Sequence, residues 1–88
     1  MLVHKMRILR IKYRITLAEL AQGIGRSGSW LSLLELSGTT PTEQTRKAVA
    51  RAFEEVVASR RSALYALEHD FLLHKNSLFE QAKEGDAL

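Results

Sequence analysis

Cysteine is absent from this chain, so neither a disulfide framework nor a thiolate metal site is available to it. Proline occurs once, at Pro41, and glycine only at 23, 25, 28, 38 and 85. Outside residues 23–41 no long interior stretch carries a helix breaker, and the chain reads as all-α. Strand signals are missing as well: there is no sustained alternation of period two and no Asn-Gly or Asp-Gly to turn a hairpin. No uninterrupted apolar run exceeds five residues, far short of a membrane span. The three histidines, His4, His69 and His74, have neither metal-ligand spacing nor cysteine support, so no metal is expected. His69 beside Asp70 reads as a solvated helix face. No nucleophile, base and oxyanion set is visible, so neither an enzyme nor a cofactor is expected.

What is present is one domain's worth of chain, 88 residues, with 45% hydrophobic and 26% charged side chains, as in an ordinary globular protein. The net charge of +3 is unevenly placed. Up to Arg51, nine basic residues face only Glu19, Glu35 and Glu43; from Ala52 onward, four basic residues face seven acidic ones. A basic first half suggests a polyanion-binding head joined to a segment with another task.

A first helix is expected over about residues 3–13, with Leu2, Met6, Leu9 and Tyr13 as its buried stripe. Ile8 and Ile11 fall off that stripe and suggest a second apolar contact. Thr16-Leu17-Ala18-Glu19 has the form of a capping box, with Ile15 and Leu20 placed to staple it. Gly23 and Gly25 end the short helix that follows, and Gly25 suits the left-handed position. Ser27 can cap a further helix, Gly28 to about Leu36. After Gly38-Thr39-Thr40-Pro41, either Thr40 or Thr42 caps the next helix. From there no breaker occurs until Gly85, so this segment is one long helix or two with a bend near Ser59-Arg60-Arg61-Ser62.

Two short capped helices joined by a glycine-containing turn make a helix-turn-helix unit at about Thr16–Leu36. Leu20, Ile24, Leu31 and Leu34 form its inner face, and Ala21 is small where the two helices touch. Gly23-Ile24-Gly25-Arg26-Ser27-Gly28 also spells G-x-G-x-x-G. A dinucleotide site needs a strand before that motif, and here a capped helix precedes it.

Met6-Arg7, Leu9-Arg10, Ile15-Thr16, Leu20-Ala21, Ile24-Gly25 and Ser27 fall into register, without a gap, with Leu31-Ser32, Leu34-Glu35, Pro41-Thr42, Val49-Ala50 and Ala52-Phe53. In these residues, over about 2–53, the chain resembles the phage repressor and Cro type helix-turn-helix family, the XRE-like proteins. The resemblance implies a repressor-like bundle of four to five helices with a long C-terminal helix. It implies a salt bridge between Arg10 and Glu35. It places Ser27, Ser29, Trp30, Ser32 and Leu33 toward bases in a major groove. Thr16, Arg26, Thr39, Thr40, Arg46 and Lys47 would then hold phosphates. Three departures stand out. Leu17 replaces a usual Gln, Arg26 replaces a usual buried Val, and helix 28–36 has no Arg, Lys, Asn or Gln. Direct readout of bases is therefore expected to be weak, with affinity coming from phosphates and shape.

Heptads laid from Phe53 give one row of Phe53, Arg60, Leu67, His74 and Gln81. A second row is Val57, Leu64, Phe71 and Leu78, and a third is Ala58, Tyr65, Leu72 and Phe79. This wide stripe either folds back to complete one core or joins subunits. The second use is preferred, because a head of about 50 residues already has a core of its own. Residues 1–57 are thus expected as the DNA-binding unit and 58–84 as a helical extension that dimerises through Val57, Leu64, Leu67, Phe71 and Leu78. Residues 85–88 are expected as a disordered tail. The partners expected are double-stranded DNA and a second copy, for a regulator of transcription. The alternative is a protein-interaction module that keeps the fold without reading DNA. Charge precedes any apolar run at Met1–Arg7, so no signal peptide is expected. The expected location is the cytoplasm, on the nucleoid when DNA is bound.

Overall fold

Local turn chemistry sets the helix ends. In a computed structural model that describes residues 2–87, the elements in chain order are α1 (Lys5–Lys12), α2 (Leu17–Ile24), α3 (Gly28–Leu36) and α4 (Glu43–His74). All are helices, and no strand occurs among the described residues. Met1, from the expected first unit, and Leu88, from the expected tail, lie outside them.

Helix α1 stops in a Schellman arrangement. The amide of Ile15 donates to the Arg10 carbonyl at 2.9 Å and that of Arg14 to the Ile11 carbonyl at 3.1 Å. Arg14 takes the left-handed conformation, φ 54, that this closure needs. Thr16 then caps α2, its hydroxyl accepting from the Glu19 amide at 3.0 Å. Gly25, at φ 75, closes α2 in the same way, with the Arg26 amide donating to the Ala21 carbonyl at 3.2 Å. Ser27 caps α3 by accepting from the Trp30 amide at 3.1 Å. Of the two candidate caps for the fourth helix, Thr42 is the one used: it accepts from the Thr45 amide at 3.2 Å.

The division of the chain falls inside a helix. Met1–Val57 and Ala58–Leu88 are the two compact units, and α4 runs unbroken through the boundary between them. Ser59-Arg60-Arg61-Ser62 holds neither Gly nor Pro, and the helix continues through it without a bend-forming break. The expected extension over 58–84 is helical only as far as His74. There the amide and hydroxyl of Ser77 both donate to the His74 carbonyl, at 2.9 and 3.2 Å, and replace the helical ladder by a turn.

In the first unit the core is Ile15, Leu20, Ala21, Leu31, Ala52 and Val56. Met6, Leu17, Ile24, Trp30, Leu34 and Phe53 pack partly buried around it. Helices α2 and α3 lie against each other. Helix α2 also comes close to α4 at Gly23, where an added Cβ would lie 2.8 Å from the Glu55 Oε2 and 3.1 Å from the Ala52 Cβ. Gly23 therefore belongs to the body of α2 as a contact point. Gly25 alone ends the helix.

The stripe expected on α1 is overturned. Leu2 is 95% exposed, and Leu9 and Tyr13 are exposed by about half, at 47% and 53%. The buried residue of this helix is Arg10, one turn after Met6. Helix α1 turns a mixed face inward because its main partner is an acid, Glu35 of α3. In the second unit every residue from Ala58 to Leu73 is exposed, including Leu64, Tyr65, Leu67, Phe71, Leu72 and Leu73. Among the described residues no helix is long and apolar enough to cross a membrane.

Candidate nucleic-acid interface

Glu35 lies near the end of α3 and is fully buried. Burying a carboxylate is tolerable only when its lone pairs are met by cationic donors. Arg10 supplies a two-pronged contact, Nε to Oε2 at 2.7 Å and Nη2 to Oε1 at 2.9 Å. Its remaining nitrogen, Nη1, donates to the Ile15 carbonyl at 3.0 Å, tying the same guanidinium to the turn before α2. Arg7 adds a contact to Oε1 at 3.2 Å. The hydrogen bonds to Glu35 raise the Arg10 pKa above its ordinary value; burial opposes this, and the carboxylate charge adds to it. Two further bonds fasten the start of α1 nearby. The His4 amide donates to the Glu35 carbonyl at 3.0 Å, and His4 Nε2 donates to the Thr39 carbonyl at 3.1 Å. Among the described residues, no buried side-chain nitrogen or oxygen lacks a hydrogen-bond partner.

This clamp fixes the pitch of α3, whose outer face carries the expected base-reading residues. Ser29 is exposed, Leu33 is 73% exposed and Ser32 is half-buried. Ser27 is exposed, but its oxygen already accepts from the Trp30 amide, so it has a proton to donate and little accepting capacity left. Trp30 is half-buried and packs on the core. The Arg26 guanidinium lies over its ring, 5.3 Å from the centroid. Arg26 thus stands out in solvent, resting on the indole, rather than replacing a buried aliphatic side chain.

The expected phosphate-contact residues do not form one cluster. Arg26 and Trp30 share a groove of about 260 Å³ with Ile24, Gln44, Thr45 and Ala48. Thr40 and Arg46 line a second groove of about 290 Å³ with His4, Lys5, Met6, Leu34, Pro41, Thr45 and Val49. Thr45 borders both grooves. Thr39 is engaged by its neighbours: its amide donates to the Ser37 hydroxyl at 3.2 Å, and the two hydroxyls are 2.9 Å apart. Lys47 pairs with Glu43 at 3.3 Å, one turn away on the exposed side of α4. Such a pair contributes about 0.3–0.5 kcal/mol and is readily exchanged for another anion. Thr16 is exposed and engaged in its cap, and it lines neither groove.

Residue-level reading missed four participants, Arg7, Gln44, His4 and Lys5. Arg7 could have been found from its i,i+3 spacing to Arg10, which puts both guanidinium groups on one side of α1. Gln44 is brought beside Trp30 by the Thr42 cap, which places it in the first turn of α4. Its side-chain amide can both donate and accept. His4 and Lys5 reach the second groove only because the chain folds back on the 37–42 segment, and nothing in their spacing signals it.

Set against protein-family models, curated proteins and solved structures, the chain matches none of them.

Proposed function

We propose that this chain binds double-stranded DNA as a homodimer and acts as a regulator of transcription. In this reading α2, the Gly25 turn and α3 are a repressor-like helix-turn-helix. Helix α3 enters the major groove with Ser29, Ser32 and Leu33 toward the bases. Arg26 on one side, and Arg46, Thr40 and Lys5 on the other, reach the phosphates.

The observation that carries the reading is the placement of Arg26. An exposed guanidinium stacked on Trp30 sits at the N-terminal end of α3, beside a groove lined by the Gln44 and Thr45 side chains. That arrangement suits a phosphate strand running past the entry of α3. Ser29 and Ser32 can hydrogen-bond to almost any base, and Leu33 can touch a thymine methyl. Specificity is therefore modest, and affinity is carried by charge and by the shape of the duplex.

The experiment is an anisotropy titration of the full chain with duplex DNA at several salt concentrations. The expected result is binding whose logarithmic affinity falls linearly with the logarithm of salt, by about 0.9 per phosphate neutralised. Absence of binding to any duplex, or binding without a salt slope, sinks the proposal.

A second reading has its own observation. Ile8, Ile11, Leu33 and Leu36 are exposed apolar side chains of the first unit. If Ile8 and Ile11 join Leu33 and Leu36 in one protein-binding surface, the chain is an interaction module that has kept the fold without reading DNA. Ile8→Ser and Ile11→Ser separate the readings: they leave DNA affinity unchanged in the first and abolish partner capture in the second.

A further inference from the structure

The distal part of α4 poses a problem that one chain by itself leaves unsolved. From Ala58 to Leu73 it is helical and exposed, and Leu64, Leu67 and Phe71 stand on one side with half or more of their surface in water. Helical segments of this length gain most of their stability from packing an apolar face. The sequence of that face limits what can cover it. Leu64 and Phe71 share one heptad row, while Arg60, Leu67 and His74 share the adjoining one, and Arg61 and Glu68 border them. The charges also separate along the axis, with Arg60 and Arg61 at one end and Glu68 and Asp70 at the other.

We propose that this segment pairs antiparallel with the same segment of a second copy, Leu64 lying opposite Leu67 of the second copy and Arg60 opposite its Phe71. The inference rests on the homodimer part of the function proposed above and does not depend on DNA binding. A parallel, in-register pair sets Arg60 against Arg60 across the axis, inside an apolar seam where like charges repel strongly. Reversing one helix removes this clash. Each Arg60 guanidinium then meets an aromatic ring, a favourable contact for a cation. Each Arg61 comes beside a Glu68 of the second copy, once on either side of the two-fold axis. The basic end of each helix faces the acidic end of the other, and the two helix dipoles oppose. Charge complementarity thus selects a second copy of this chain as the occupant, and selects its direction.

Because the chain has no native cysteine, single cysteines carry spin labels without background. Ser62, Ala66, His69 and Leu73 lie on the side of α4 away from the seam, so labels there leave the pairing face intact. In the antiparallel pair the separation between copies is shortest at Ala66 and grows toward Leu73, with about 3 Å of added axial offset per residue. In a parallel pair the four separations are alike, and that result overturns the proposal. Charge exchange gives an independent reading. Arg61→Glu or Glu68→Arg alone weakens dimerisation by about tenfold in sedimentation equilibrium, since each places two like-charged pairs across the seam. The double variant restores it, with helix content checked by circular dichroism. Failure of the double variant to recover, with helix content retained, overturns the antiparallel register. A full chain that sediments as a monomer overturns both this inference and the homodimer. An antiparallel dimer that binds no duplex leaves this inference standing and removes only the DNA reading.

Discussion

Gly23 of α2 and Ala52 of α4 stand so close that a Cβ on the glycine would lie 3.1 Å from the Ala52 Cβ and 3.3 Å from its Cα. Replacing a mid-helix glycine by alanine ordinarily stabilises by about 1 kcal/mol. Here the added methyl has nowhere to go, and overpacking costs about 1–3 kcal/mol. Gly23→Ala is expected to destabilise by about 1 kcal/mol net, read as a lowered urea midpoint. A raised midpoint would mean that α2 and α4 separate freely.

The Arg10–Glu35 pair yields a sharper contrast. Arg10→Ala leaves a fully buried carboxylate with only Arg7 beside it, and breaking such a pair costs about 3–5 kcal/mol. Replacing both partners, as Arg10→Met with Glu35→Leu, is expected to recover most of that loss. Denaturant unfolding of the two variants decides the matter: equal losses in both would show that the site needs ions as such.

The same pair predicts a pH response with a definite sign. Contact with Glu35 raises the Arg10 pKa, so its contribution is fully present below the unfolded value and is lost only as pH rises through the folded one. That window lies in strong alkali, above the ordinary arginine range. Wild-type protein is therefore expected to show no Arg10-linked loss between neutrality and pH 11. Arg10→Lys, with an ordinary value of about 10.4, brings such a loss into the measurable range. Urea midpoints of the two proteins compared from pH 8 to 11 test this, and parallel curves would contradict it.

At the turns, two glycines should behave oppositely. Gly25 holds φ 75, where a side chain costs about 1–2 kcal/mol, so Gly25→Ala lowers the melting temperature. Gly38 has open space where a Cβ would go and no left-handed backbone, so Gly38→Ala is expected within about 0.5 kcal/mol of wild type. Similar melting shifts in the two variants would remove the conformational account of the Gly25 turn.

For the proposed interface, Arg26→Ala and Arg46→Ala are expected to weaken duplex binding evenly across unrelated sequences. Each should also lower the salt slope by about one. Leu33→Ala should instead change the ranking of sequences while leaving the slope alone. Anisotropy titrations with a small panel of duplexes would reveal a mistaken assignment as an exchange of these two signatures.

Capping and closure around α2 and α3 were legible in the sequence because they depend on nearest neighbours. Thr16, Gly25 and Ser27 each act within five residues of themselves, and so they can be read one at a time. The burial on α1 was not legible. Leu2, Leu9 and Tyr13 have the right spacing for a stripe, but Met6 and Arg10 occupy the inward face, because the decisive partner lies 25 residues away in Glu35. Family resemblance named that pair where periodicity favoured a different face. The close approach at Gly23 was likewise invisible, since a glycine near a helix end reads as a stop signal until the neighbouring helix is in place. Where the single helix that starts at Glu43 stops turned on Ser77, whose hydroxyl donates to the His74 carbonyl. A serine carries that option wherever it stands, and only the local backbone decides whether it is used.

The unbroken course of α4 bears on how the chain resists proteolytic cleavage. Proteases need several residues of extended backbone to enter their active sites. The boundary between the two compact units falls between Val57 and Ala58, in the middle of a helix, and offers no such stretch. Limited digestion is therefore expected to spare the joint and to begin past His74, where the backbone leaves the helix and Phe79 stands fully in solvent. Trimming there would remove Leu78 and Phe79 while leaving Ala58–His74 attached to the first unit.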